Sequence, residues 1–324
     1  MKFPLFDAHC DTLSAMLLKK RSLGKNDLHV DLARGGKYRP YAQFFAAYGQ
    51  LETPAGQLHA AHPLWKEGWP CFQLQYGLFQ AALSEYSNQL AHCLTAQEAK
   101  EVGEAGKIAA FLAIEGAELL NCSLDRLAEA HALGLRMLTL TWNIPNALSG
   151  TVRLERDRGL SDLGRQFVKK CKALGIIVDV SHLSEPGFWD VAELMEKTPF
   201  VASHSNSAKI YPHPRNLTDA QFLEIVKAGG IAGLNLFTIF LGDGTPGLDR
   251  AIAHIEHFLS LGGEKTVAIG ADLDGCETLP PEIRGIEDVE KIAEELLRRN
   301  YSEALVCDIM YYNLFRVVEE ICDI

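Results

Sequence analysis

The chain has 324 residues, 48% hydrophobic and 23% charged, with a formal net charge of −11, a balance ordinary for a soluble globular enzyme. The length leaves one or two domains open. The acidic excess excludes a basic surface that could neutralise phosphates, so no nucleic-acid partner is expected.

In chain order, short apolar runs alternate with longer helical patterns. "FPLFDAH" (from Phe3), "YAQFFAAYG" (from Tyr41), "KIAAFLAIE" (from Lys107) and "RMLTLTWN" (from Arg136) are predicted strands. "GIIVDVSH" (from Gly175), "PFVASH" (from Pro199), "GGIAGLNLF" (from Gly229) and "TVAIGADLD" (from Thr266) follow. Each is nearly continuous in apolar residues, as strands covered on both faces are. Between them, "SLDRLAEAHALG" has Ser123 as N-cap and Gly134 as stop. Ser161 and Gly175 frame "SDLGRQFVKKCKALG", and Thr218 and Gly229 frame "TDAQFLEIVKAGG" in the same way. Eight strands with intervening helices predict a (β/α)8 barrel, with an open doubly wound sheet as the alternative. The region from Leu51 to Glu101 is long for one crossover and is expected to add helices over the barrel rim. The segment from Ile286 onward reads as two C-terminal helices. With no interdomain linker, residues 1–324 are read as one domain.

The eight cysteines (Cys10, Cys71, Cys93, Cys122, Cys171, Cys276, Cys307 and Cys322) lack CxxC spacing, so reduced thiols in a cytoplasm are expected. "MKFPLFDAHC" carries no apolar leader and "FRVVEEICDI" no hydrophobic tail. The apolar stretch near "GGIAGLNLFTIFLG" is too short and interrupted to span a bilayer. No membrane attachment is expected.

Polar residues gather at the C-terminal ends of the predicted strands. They are His9 and Asp11, Glu115, Trp142 and Asn143, His182, His204, Asn235, and Asp272. In a (β/α)8 barrel those ends converge on one face, where active sites are built. Each has a structural explanation when taken singly: a loop carboxylate, a helix-start histidine, a turn at Asp272 and Asp274 before Gly275. Together they would need the same coincidence at several strand ends. Three histidines (His9, His182, His204) and three carboxylates (Asp11, Glu115, Asp272) suit zinc or a similar borderline metal. Strand alternation turns His9 and Asp11 one way and Cys10 the other, so Cys10 is expected to pack rather than ligate. His213, in "YPHPRN", is a second-tier candidate because Arg215 lies beside it. His29, His59, His62, His92, His131, His254 and His257 are read as surface or packing residues.

With "DAHCDTL", "AIEGAELL", "LTLTWN", "IVDVSHLS", "ASHSNS", "RNLTD" and "GADLDG" in this order, the chain resembles the membrane (renal-type) dipeptidase family, peptidase family M19, over nearly its whole length. The resemblance implies a zinc-dependent dipeptidase with a two-metal site. His9 and Asp11 would bind one ion, His182 and His204 the other, and Glu115 would bridge them. Arg215 would grip the substrate carboxylate, and Asp272 would move a proton. The implied mechanism is attack on the peptide carbonyl by a hydroxide bridging the two ions, zinc or other divalent metals. The substrates would be dipeptides with a free C-terminus, a D-residue there included. The resemblance also leaves a homodimer open. One departure is visible: where well-studied animal members carry a histidine after "LTLT", this chain has Trp142, with Asn143 beside it. Tryptophan donates one hydrogen bond and cannot titrate. That change keeps a second reading open, a related hydrolase acting on another amide or cyclic amide. A non-catalytic barrel is disfavoured because every ligand position is filled.

Overall fold

The computed structural model describes residues 3–49 and 67–323. Among the described residues there are nine strands: β1 (Leu5–Cys10), β2 (Tyr41–Tyr48), β3 (Leu90–His92), β4 (Ile108–Glu115) and β5 (Leu135–Thr139) come first. β6 (Ile177–Asp179), β7 (Val201–Ala202), β8 (Ile231–Leu234) and β9 (Val267–Ile269) complete the set. All pairings between them are parallel, and β1 joins both β2 and β9, while β2 joins β4. Eight strands therefore close a (β/α)8 barrel; six lie within the apolar runs predicted for them, and β1 and β5 each overrun theirs by one residue. β3 is extra. It pairs with Ile108–Ala110 at the start of β4, and β5 takes over from Leu112 onward. Three residues are too few to show a periodicity, so nothing in "LAH" announces a strand.

Alternation along the long strands divides the core in two. Ala42, Phe44 and Ala46 of β2 and Ala109, Phe111 and Ala113 of β4 share one buried cluster with Phe6 and Ala8. Their neighbours Phe45, Ala47, Leu112 and Ile114 pack instead with helix residues such as Phe72, Phe79 and Phe167. The first set is the barrel interior, where Phe6, Phe44 and Phe111 meet with ring centroids 5.1–5.6 Å apart. Small alanines flank them, so three rings fill a space that branched aliphatics fill in other barrels. Phe111→Ala would open a cavity there costing about 3–5 kcal/mol. Glu115 ends β4 in step with Ala109, Phe111 and Ala113, which turns its carboxylate inward at the C-terminal end.

The anticipated caps form. Ser123, Ser161 and Thr218 each accept a backbone N–H from the first turn of their helices, Thr218 in a full capping box with Gln221. Gly175 and Gly229 close their helices at φ 68° and 74°, a left-handed conformation that glycine adopts without strain. The expected rim elaboration is seen as helices Gly68–Glu85 and Ala96–Glu104, and its residues 50–66, including His59 and His62, lie outside the described residues. Gln75 on the first of these helices bonds both the N–H and the C=O of Tyr48, at the mouth end of β2. At the C-terminus a helix Glu290–Arg298 precedes a second helical run, Glu303–Cys307 to Asn313–Cys322, interrupted by a π-helical turn at Asp308–Tyr312. This run packs across β1, β6, β8 and β9, with Tyr311 5.5 Å from Phe6. It covers the barrel end opposite the strand C-termini. Among the described residues no helix is long and apolar enough to cross a membrane, and all eight cysteines are free.

Candidate active site

The strand ends bring the predicted residues together. His9 sits in β1, Asp11 just after it and Glu115 at the end of β4. His182, His204 and Asp272 follow β6, β7 and β9 within three residues. Strict alternation from the interior residues Phe6 and Ala8 would turn His9 outward. The pairing register shifts between Asp7 and Cys10, and this irregularity re-aims the strand end. Cys10 packs in the outer core and donates its S–H to the Phe44 carbonyl, 3.5 Å away.

The geometry centres on Glu115. Its Oε1 lies 3.0 Å from His182 Nε2 and 3.4 Å from His204 Nε2, and its Oε2 lies 3.7 Å from His9 Nε2. His9 Nε2 is also 3.7 Å from Asp11 Oδ1, a charge contact rather than a hydrogen bond. Ligand atoms of His9, Glu115 and His204 fall within 4.8 Å of one another, as do those of His9, Asp11 and Asp272. All six residues are buried.

Local backbone shape makes this convergence possible. His182 and Asp272 hold φ of 68° and 58°, and Asp274 holds 68°. Such left-handed non-glycine residues cost of order 1–3 kcal/mol each and gather where function over-determines them. Gly275 is required for another reason: a Cβ there would stand 2.2 Å from Asp11 Oδ2 and 2.4 Å from Asp272 Oδ1. Asn235, after β8, donates to Asp272 Oδ2 at 2.9 Å.

Burial and mutual charge govern protonation. Burial pushes the Glu115 carboxyl well above its ordinary value, with the nearby Asp11 charge adding to it. Burial likewise raises Asp272 to about 6. His182 and His204 are held well below the ordinary histidine value by burial and by the charge of Arg215 and His9, which keeps them neutral, the form that ligates. Burial also opposes charge on His9, but the carboxylates of Glu115, Asp11 and Asp272 prevail and push it up to about 10. The residues fit a divalent metal on this chain's own evidence. Both ring nitrogens of His9 and Oδ1 of Asp11 are buried without a hydrogen-bond partner, a condition buried polar atoms rarely tolerate. The donor set, imidazole nitrogens with carboxylate oxygens, is the one that zinc takes.

Arg215 is 5% exposed. Its Nη1 and Nη2 donate to Ser205 Oγ and the His204 carbonyl at 3.4 and 3.2 Å, its guanidinium lies 5.4 Å from the Phe240 ring, and its Nε has no partner. A cavity of about 880 Å³ opens beside it, with His182, His213 and Trp189 also in its wall. His213 supports Arg215 from behind, accepting the Arg215 backbone N–H at its Nδ1, 3.1 Å away. Trp142 is half-buried, edge-on to Tyr48 with centroids 4.9 Å apart and 6.5 Å from the His182 ring. Asn143 presents Oδ1 to His182 Nδ1 at 3.0 Å.

Several residues at the site escape a sequence reading. Glu118 accepts from the Asn146 side chain at 2.8 Å, and the Trp142 backbone N–H also faces it. It thereby ties the loop after β5 to the segment after β4. Asp179, Ser203 and Gly275 act from within runs read as strand or turn. The one available signal was Asp179, a charged residue inside the apolar run "GIIVDV".

Residues 1–324 match the model of the membrane dipeptidase family, peptidase family M19. Dipeptidase tcpJ of Claviceps purpurea is 29% identical over 304 residues, 91% of this chain and 70% of that protein. A metallopeptidase from Rhodobacter sphaeroides, solved with a phosphinate mimic of the dipeptide L-Ala-D-Ala, superposes with a TM-score of 0.87. It is 28% identical, and the match covers 99% of this chain and 100% of that one. The metallopeptidase dipeptidase AC, of family M19, gives a TM-score of 0.87 at 29% identity over the full length of both chains.

Proposed function

Since the chain belongs to the membrane dipeptidase family, peptidase family M19, and is a metal-dependent dipeptidase, we propose that it hydrolyses short peptides with a free C-terminal carboxylate using two zinc ions. His9 and Asp11 would hold one ion, His182 and His204 the other, and Glu115 would join them. The unpartnered His9 ring nitrogens and Asp11 oxygen at the centre of the cluster carry this reading. Divalent metal at such a site polarises the scissile carbonyl and supplies a water that ionises near pH 7 rather than far above it.

The protein's own groups do the rest. Arg215, with a planar fork and a free Nε–H, takes the substrate carboxylate. Its burial beside the 880 Å³ cavity removes competing water and strengthens the pairing. Asp272, aimed by Asn235 and raised to about 6, holds or releases a proton near neutral pH and passes it to the leaving amine. Trp142 and Asn143 border the substrate beside His182. Trp142 offers the carbonyl one N–H donor and no proton.

The L-Ala-D-Ala mimic bound by the Rhodobacter enzyme supports including C-terminal D-residues in the substrate range. The test is an L,L against L,D dipeptide panel with zinc measured on the same sample. Absence of dipeptide turnover by zinc-loaded protein would sink the proposal, as would less than one zinc per chain after incubation with the metal. Trp142 favours a second reading, cleavage of another amide; N-acyl amino acids or cyclic amides turned over in place of dipeptides would establish it. Residues 1–324 are proposed to act as one catalytic domain in a cytoplasm, where free thiols persist. Sedimentation would test for a homodimer.

A further inference from the structure

Asp179 closes β6 with 0% exposure and no place among the residues described above as ligands. Its Oδ1 accepts the backbone N–H groups of Ser181 and Ser203 at 3.0 and 2.9 Å. Its Oδ2 accepts the hydroxyls of Thr139 and Ser203, both at 2.6 Å. Four donors converge on one side chain. A carboxylate has acceptor sites for all four, whereas an amide would turn an N–H₂ toward some of these donors. These bonds offset the cost of burying the side chain there.

The consequence passes to the next residue. The single hydroxyl hydrogen of Ser203 is committed to Asp179, leaving its oxygen free to accept. His204 Nδ1 lies 2.7 Å from that oxygen, and Ser181 Oγ lies 3.3 Å from it. Bonding logic therefore assigns the hydrogen of His204 to Nδ1 and the lone pair to Nε2. That lone pair faces Glu115 Oε1 at 3.4 Å and His182 Nε2 at 3.0 Å. We propose that Asp179 and Ser203 are positioning residues which, through His204, fix the imidazole tautomer and raise this side's affinity for a divalent metal.

This rests on the reading of His204 as a ligand. Carboxylates behind a ligating histidine orient the ring and increase its basicity, and their loss costs roughly 10–100-fold in metal affinity. Here the carboxylate acts through one intervening hydroxyl.

The experiment loads wild type, S203A, S203T and D179N with zinc or cobalt(II), after circular dichroism has confirmed the fold. It reads metal per chain, release of zinc to a chromophoric chelator, and the cobalt d–d spectrum. S203A and D179N should hold one of two metals roughly 10–100-fold more weakly, with a shifted d–d band. S203T, which keeps the hydroxyl, should return to within a few-fold of wild type. If D179N does not fold, the serine pair decides alone. S203A retaining both metals as wild type does would overturn the proposal, and so would S203T binding as weakly as S203A. Wild type that binds no metal would remove the ligand reading itself, and the relay with it.

Discussion

The two sides of the cluster are built differently. Behind His182 stands Asn143, and behind His204 stand Ser203 and Asp179, so both rings are oriented by hydrogen bonds to Nδ1. His9, across the site, has no hydrogen-bond partner at either nitrogen, and Asp11 Oδ1 has none. The protein thus pre-organises the proposed ligands after β6 and β7, whereas those of β1 would be fully partnered only with an ion in place. Pre-organised ligands have less freedom to lose on binding. Of the two metals proposed, the one at His182 and His204 should bind tighter, and the one at His9 and Asp11 should exchange faster.

The largest expected effect comes from Glu115, which touches both sides. Glu115→Gln should cut zinc to one per chain or fewer and lower kcat/KM by more than the roughly 100-fold that a supporting residue costs; retained turnover would rule out a bridging role. Gly275→Ala strikes the bare side alone, since its methyl group would press on Asp11 and Asp272. Metal analysis should then find about one zinc per chain, held at His182 and His204. An unchanged content of two would mean that the β1 side yields without losing its ion. Arg215→Ala leaves both metals in place and should weaken dipeptide binding by about 1.5–3 kcal/mol, with little effect on C-terminal amides. Equal losses for acid and amide would show that Arg215 does not read the carboxylate.

The smallest effect concerns Glu118, which holds the loop from Trp142 to Asn146. Burial pushes the Glu118 carboxyl up to about 7 from an ordinary 4.5, so the folded chain binds this proton more tightly than the unfolded chain does. The stability it contributes is full below pH 4.5 and is lost as pH rises through 7. The melting temperature of Glu118→Gln should therefore fall less between pH 5.5 and 8 than that of wild type. Identical slopes would place the titration elsewhere.

The barrel was legible because eight buried strands write continuous apolar runs, and because serine, threonine and glycine stand at helix ends where backbone groups need them. The cluster of candidate ligands was legible because charge at the end of an apolar strand is costly without a purpose. What stayed hidden depends on pairing across the fold. Asp179 and Ser203 become a relay only when β6 and β7 lie side by side. Gly275 looks like any turn glycine until two carboxylates crowd it. His9 and Cys10 face opposite ways as expected, yet His9 faces inward only through a register shift that no residue type announces. β3 was missed because three residues bear no pattern.

The aromatic trio and the C-terminal helical run close the lower barrel end, so traffic through the site is one-way in and the same way out. Metal, peptide and products would then share the mouth between the loops, and a peptide held by Arg215, as proposed, would hinder an arriving ion. Loading should then be sequential, with the ions seated before the substrate, and a product that lingers should shield the exchangeable metal from a chelator.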